Sequence, residues 1–219
     1  IQFLAKDNKV KVIECNLRAS RSFPFVSKTL KKNFIEIASH VIVGKKVEQW
    51  DDHTFDFDYV GVKAPEFSYT RLEGADPTTG VEMASTGEVA CIGQDFDEAF
   101  LKSLMSVGYK FPIKAVLISS GTIESKSELL ESARQFLKLG IKFYATPGTA
   151  KFMQSNGIPA ESLEWPLDNR SPNSADYLKS GKIDLVINIP KNFQEEELTN
   201  DYIIRRTAVD YKIPLITNR

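Results

Sequence analysis

The chain of 219 residues is short of several residue types, and each shortage removes a class of protein. Its two cysteines, Cys15 and Cys91, both sit in apolar, strand-like runs. Two cysteines cannot build a disulfide scaffold, and a reducing, intracellular compartment suits them better. The only histidines are His40 and His53, so no dispersed His/Cys set has zinc-ligand spacing. His40 falls inside a helical pattern and reads as an ordinary helix residue. No apolar run reaches the ~18–20 residues of a transmembrane helix. Lysine and arginine total 28 against 29 acidic residues, a net charge of −1. That balance gives no bulk attraction to nucleic acid or to an anionic membrane. A signal-peptide pattern is missing: Ile1-Gln2-Phe3-Leu4 opens as a strand-like segment. With no initiating methionine, the chain reads as a piece cut from a longer protein. Internal repeats and low-complexity tracts are missing too. What is present is 42% hydrophobic and 26% charged residues, enough for a packed core. The length suits one large domain or two small ones.

Two halves differ in grammar, with the boundary placed at Pro112: residues 1–112 and 113–219. In the first half, 2–6 and 10–16 flank Asp7-Asn8-Lys9 and predict a hairpin with a three-residue loop. Asn33 caps a predicted helix over 34–43, stopped by Gly44. Short strands are predicted over 59–63 and 88–92, with a Gly/Pro/Ser/Thr-rich loop at 66–86 between them. Asp95 caps a further helix that ends near Gly108. The second half alternates. Strands are expected over 114–119, 141–145, near Leu163, over 183–187 and over 214–217. Helices are expected from a Ser125/Glu128 capping box to Leu139, over 149–155, over 174–180 and over 201–211. Alternation of this kind predicts a doubly wound parallel α/β sheet.

The first candidate constellation lies on the hairpin. Period-two alternation places Gln2 opposite Glu14, with Asn16 on the same face. Amide and carboxylate oxygens at this spacing suit a hard cation such as Mg²⁺, which commonly joins carboxylates to nucleotide phosphates. Arg18 and Arg21 follow, and guanidinium forks suit phosphate. A solvent-facing strand end with incidental charges is the competing reading.

The string Ile13-Glu14-Cys15-Asn16-Leu17-Arg18-Ala19-Ser20-Arg21-Ser22-Phe23-Pro24-Phe25-Val26-Ser27-Lys28 resembles the end of an ATP-grasp domain. More narrowly, it is similar to the synthetase portion of carbamoyl-phosphate synthetases. Glu82-Met83-Ala84-Ser85-Thr86-Gly87-Glu88-Val89 resembles a second signature of that family. Ala145-Thr146-Pro147-Gly148-Thr149-Ala150 and Arg205-Arg206-Thr207-Ala208 resemble its C-terminal regulatory domain. The resemblance runs in order along the whole chain. It implies that residues 1–112 end the carbamate-phosphorylating ATP-grasp domain. Residues 113–219 would be a methylglyoxal-synthase-like allosteric domain, truncated at its C-terminus. By the same resemblance Gln2 and Glu14 bind ATP, Gln2, Glu14 and Asn16 hold two Mg²⁺ or Mn²⁺ ions, and Arg18 and Arg21 act at the phosphate and carbamate end. The parent enzyme is then an ATP-dependent ligase making carbamoyl phosphate from bicarbonate and ammonia or glutamine nitrogen. Its partners are the rest of the synthetase chain and a glutaminase domain or subunit, in the cytoplasm or the mitochondrial matrix. The fragment alone is expected to be inactive, and its first half to expose apolar surface.

The second constellation is the turn Thr146-Pro147-Gly148-Thr149, after a strand and opening a helix. Ligands of open α/β sheets bind at strand carboxyl ends. Free N–H groups of a helix N-terminus and two hydroxyls make an anion cradle, and Gly148 admits close approach to the backbone. An ordinary strand–helix turn is the competing reading. The resemblance implies that Thr146 and Thr149 contact the effector and that Lys126 meets its phosphate in bacterial members. Trp165 and Asn188 match the acetylglutamate-dependent animal enzymes, whereas Lys191 and Asp201 stand where those enzymes have asparagines. Lys191 adds a cation able to meet a carboxylate or a phosphate. The effector is therefore a small anion, acetylglutamate-like or a nucleotide. Arg205 and Arg206 read either as effector or interdomain contacts or as solvent-facing charges, with the latter favoured. A lyase acting on a triose phosphate, as in free-standing methylglyoxal synthase, is one alternative. Another ATP-grasp ligase, such as a biotin-dependent carboxylase, is a second.

Overall fold

The computed structural model describes residues 1–219 other than 21, 52, 54, 80–83, 169, 190–194 and 219, and leaves the side chains of 195–198 undescribed. In chain order the elements are β1 (Gln2–Lys6), β2 (Lys9–Glu14), α1 (Phe23–Thr29), α2 (Phe34–Ile42), β3 (Val60–Glu66), β4 (Gly87–Gly93) and α3 (Phe96–Ser106). They continue with β5 (Ala115–Ser120), α4 (Ile123–Lys138), β6 (Lys142–Ala145), α5 (Pro147–Ser155), β7 (Glu161–Ser162), α6 (Ser174–Lys179), β8 (Leu185–Ile189), α7 (Glu195–Asp210) and β9 (Leu215–Ile216). The chain divides into two compact units: Ile1–Ala64 with Ala90–Ser103, and Pro65–Val89 with Leu104–Arg219.

In the first unit, β1 and β2 form the expected hairpin, but with a two-residue loop. Lys6 pairs with Lys9, and Phe3 with Val12. Asp7 and Asn8 adopt φ of 49° and 59°, the left-handed pair a tight hairpin turn requires, and Asp and Asn tolerate it better than most residues. A register shift between Gln2 and Phe3 then restores the Gln2–Glu14 pairing. The hairpin is exposed along both strands, Phe3, Leu4, Val10, Val12 and Ile13 included. Phe23 and Phe25 lie in α1, where Pro24 occupies the first turn and costs no hydrogen bond. Asn33 caps α2 by accepting the Glu36 N–H at 3.2 Å. Phe34, Trp50 and Phe55 pack with ring centroids 5.2–6.4 Å apart. Gly93 sits where a Cβ would be 2.4 Å from the Ala99 nitrogen, so α3 closes directly on the strand end.

The second unit holds a five-stranded, all-parallel sheet in the order β7-β6-β5-β8-β9. Period two along β5 sends Val116 and Ile118 to one face and Ala115 and Leu117 to the other. The first pair joins Phe143, Met153 and Ile187, with Leu129 and Phe136 packed alongside. The second joins Leu163, Leu178, Ile183, Val186, Ile204 and Ala208. Burying each large apolar side chain contributes roughly 1.5–3 kcal/mol, so both faces are strongly held. Thr122, rather than Ser125, caps α4: Ser125 N–H donates to Thr122 Oγ1 at 3.1 Å. Gly140, at φ +77°, ends the last turn after α4. Asn173 and Asp176 form a reciprocal capping box on α6. Helix α7 begins at Glu195, six residues before the expected start.

Candidate functional site

From β5 the chain winds one way to β6 and β7, then crosses back to β8 and β9. The carboxyl ends of β5 and β8 therefore flank the topological switch point, where open α/β sheets place their ligands. Four predicted residues arrive at this end of the sheet. Thr146 follows β6, Gly148 and Thr149 lie in the first turn of α5, and Asn188 is the fourth residue of β8. Lys126 comes from the first turns of α4, and a Cβ built on Gly148 would stand 3.8 Å from its Nζ.

Thr146, Thr149 and Asn188 are buried, and Lys126 is half-buried. Thr149 Oγ1 receives the Ser120 N–H at 3.1 Å and donates to Ser120 O at 3.1 Å. Thr146 Oγ1 lies 3.3 Å from Thr149 Oγ1 and 3.4 Å from Ser119 Oγ, so one proton serves two acceptors. Ser119 Oγ donates to Asp201 Oδ1 at 3.1 Å, and Asn188 Nδ2 donates to the same oxygen at 2.7 Å. Arg205 Nη1 donates to Asn188 Oδ1 at 2.9 Å. Asn188 is fully buried and holds its neighbours with both ends of its amide. Ser120 Oγ is buried with no hydrogen-bond partner, an exception to the usual rule. Sequence reasoning passed over Ser119 and Ser120. Their signal was there: two hydroxyls and Gly121 end the first strand of an α/β alternation.

Arg205 and Arg206 are not solvent-facing charges. The Arg205 side chain is 2% exposed and grips Asp76 through two bonds, Nε to Oδ1 at 2.7 Å and Nη2 to Oδ2 at 2.6 Å. Arg206 Nη1 donates to the carbonyls of Tyr69, Leu72 and Ala75, at 3.0–3.1 Å. Its Nε and Nη2 donate to Asp210, one turn on. Hydrogen bonding to Asp210 raises the Arg206 pKa further, and the same bond holds the Asp210 carboxyl below the usual range. Tyr202 Oη adds a bond to Gly74 O at 2.9 Å. One face of α7 thus clamps the turn 69–76.

Trp165 is half-buried against the cluster that contains Leu163 and Leu178, so packing accounts for part of its role. At the hairpin, Gln2 is opposite Glu14, and Asn16 Nδ2 donates to Glu14 Oε1 at 3.0 Å. These three come together as expected. Arg18 is exposed and donates to Ala19 O at 3.2 Å. Arg21 and Lys191 lie outside the described residues, as do Glu82 and Met83 of the second signature. Among the described residues no group of three His, Cys, Asp or Glu side chains is placed to hold a metal, and no helix is long and apolar enough to cross a membrane.

Strand order, two-sided helix cover and a hydroxyl-lined turn at the switch point define a doubly wound parallel α/β domain. Residues 128–217 match the MGS-like domain family. Along its whole length the chain is 47% identical to Multifunctional protein pyr1-3 of Dictyostelium discoideum, covering 100% of this chain and 10% of that one. It is 46% identical to Multifunctional protein URA2 of Saccharomyces cerevisiae, again covering 100% and 10%. With the mitochondrial carbamoyl-phosphate synthase (ammonia) of Homo sapiens it shares 46% identity, covering 100% and 15%. The chain therefore spans only 10–15% of the length of these relatives. Among solved structures, methylglyoxal synthase from Elizabethkingia anophelis aligns at a TM-score of 0.35 with 15% identity, over 49% of this chain and 73% of that one. That likeness is too distant to bear on the site.

Proposed function

We propose that the chain is the effector-binding end of a carbamoyl-phosphate synthase, joined to the last part of its carbamate-phosphorylating ATP-grasp domain. Identity of 46–47% to relatives along the full length supports the assignment. The observation that carries the site is the buried Thr146–Thr149–Ser120 hydroxyl group beneath Lys126, at the switch point of the sheet. The first-turn N–H groups of Thr149 and Ala150 are spent on Thr146 O, so the hydroxyls and an ammonium suit one anionic group of a small effector. The unpartnered Ser120 hydroxyl offers a further donor. The effector is acetylglutamate-like or a nucleotide.

At the hairpin, Glu14 offers a carboxylate, and Gln2 and Asn16 offer amide oxygens. The Asn16–Glu14 bond uses the Asn16 nitrogen and leaves its carbonyl for a cation. This donor set fits a hard divalent ion, Mg²⁺ or Mn²⁺, that takes its remaining ligands from ATP phosphates and water. Such an ion supplies charge neutralisation during phosphoryl transfer. Arg18, with Arg21, would hold the anionic carbamate or its phosphate in line. The remaining synthetase regions, a glutaminase and the compartment, cytoplasm or mitochondrial matrix, belong to the parent protein.

Isothermal titration of the chain with acetylglutamate, UMP, UTP and IMP tests the effector reading. One of them binds, and Thr149→Val or Lys126→Met weakens it at least about tenfold, the loss of one charge-assisted bond. Silence with all four at millimolar concentration refutes the reading.

A further inference from the structure

We propose that Arg205 is a positioning residue that couples the anion cradle to the turn 69–76, and that the coupling is negative. The inference rests on the effector reading above. Its basis is an unbroken chain of polar contacts, buried up to Arg205 and ending at the exposed Asp76: Thr149, Thr146, Ser119, Asp201, Asn188, Arg205, Asp76, each step between 2.6 and 3.4 Å.

The charges along this chain set the sign. Asp201 and Asp76 lie on either side of Arg205, two carboxylates for one guanidinium. Arg205 spends two donors on Asp76 and one on the Asn188 carbonyl. Asn188 in turn presents its N–H to Asp201, so the amide cannot flip without facing the guanidinium with its own donors. An anion arriving at Thr146 and Thr149 takes the Thr146 proton, now held inside the network, and the Thr149 proton, now given to Ser120 O. It also adds negative charge next to Asp201. Both effects draw Arg205 toward the ligand side and weaken its hold on Asp76, which is the more exposed of its two partners. The turn 69–76 then keeps the Arg206 and Tyr202 bonds but loses its ion pair to Arg205. Because binding linkage is reciprocal, whatever loosens Asp76 must also tighten the anion.

The test needs no ligand beyond the four named probes. Hydrogen exchange of the chain is followed across 65–89, with and without the probe that binds. Binding is expected to speed exchange within 69–76 while slowing it around Thr146–Thr149. Affinity is then measured in Asp76→Asn, which is expected to bind the anionic probe about fivefold more tightly, within the range of typical site-to-site coupling. Asp76→Glu should restore wild-type affinity. Glu131→Gln removes an exposed carboxylate from α4, away from both the network and the turn, and should leave affinity unchanged, which separates the network from a general field effect. A merely structural Arg205–Asp76 pair would lower stability in Asp76→Asn without tightening the anion. If a probe binds but exchange at 69–76 is unmoved, or Asp76→Asn binds no tighter than Glu131→Gln, the coupling is refuted and the effector reading stands. If no probe binds the wild-type chain, both fall. The wild-type exchange measurement decides the matter even where a variant folds poorly.

Discussion

Replacing Thr149 by valine tests how the cradle is built. The two side chains are nearly the same shape, so the substitution removes a hydroxyl and leaves volume intact. That hydroxyl is buried, accepts the Ser120 N–H and donates to the Ser120 carbonyl. Removing it strands a backbone donor and weakens a backbone acceptor at the end of β5, where water has little access. At roughly 1–3 kcal/mol for each buried unsatisfied group, the loss is about 2–4 kcal/mol. Thr149→Ser keeps both bonds and loses a methyl group, for about 1 kcal/mol. Native-state hydrogen exchange of the β5 amides reads the effect within the second unit alone. Protection in Thr149→Val should fall by about 30-fold or more, since each 1.4 kcal/mol is tenfold, whereas Thr149→Ser should stay within about tenfold of wild type. A Thr149→Val chain as protected as wild type, or less damaged than Thr149→Ser, would refute the claim that this hydroxyl ties α5 to β5.

Three further outcomes follow from other parts of the chain. Gly93→Ala places a methyl 2.4 Å from the Ala99 nitrogen and 3.0 Å from Asp95 O, both backbone atoms; it should destabilise the first unit by about 1–3 kcal/mol, seen in urea unfolding followed through Trp50. Asn173→Ala breaks the capping box of α6 and should cost about 1 kcal/mol, with exchange quickening first in the opening turn of that helix. Glu161 is held below the ordinary carboxylate range chiefly by its bond from Lys142, and also by Tyr177. A depressed folded value means its contribution is present above the unfolded carboxylate value and is lost as pH falls through the folded one. Both groups are exposed, so the effect on stability is small and screened by salt. A carboxyl NMR titration should show the Glu161 midpoint rising toward the ordinary value in Lys142→Met, and an unmoved midpoint would rule the pairing out.

Much of the second unit was legible because periodicity and punctuation agreed. Strand runs, caps and glycines such as Gly140 all marked the same boundaries. Where local chemistry offered two near-equal choices, the structure took the other one. Thr122 and Ser125 both cap helices well, and their hydroxyls stand 2.8 Å apart, so either reading was locally sound. Asp7 and Asn8 both accept left-handed φ, which shortened the hairpin loop by one residue. An acidic run before α7 favours a helix N-terminus through the macrodipole, and the helix begins there. The cradle residues Thr146 and Thr149 were readable as a strand-to-helix turn. The burial of Arg205 was not. Two arginines on a helix look solvated unless their partners are known, and no local pattern ties them to Asp76.

The bond between Asp76 and Arg205 spans 129 residues of chain. Closing so long a loop costs about 2 kcal/mol more in chain entropy than closing one of fifteen residues. Contacts this distant form late, after the local strand–helix pairs have settled. During synthesis from the N-terminus, the turn 69–76 must wait, without its clamp, until helix α7 has left the ribosome. Helix α7 therefore fastens a segment made more than a hundred residues before it.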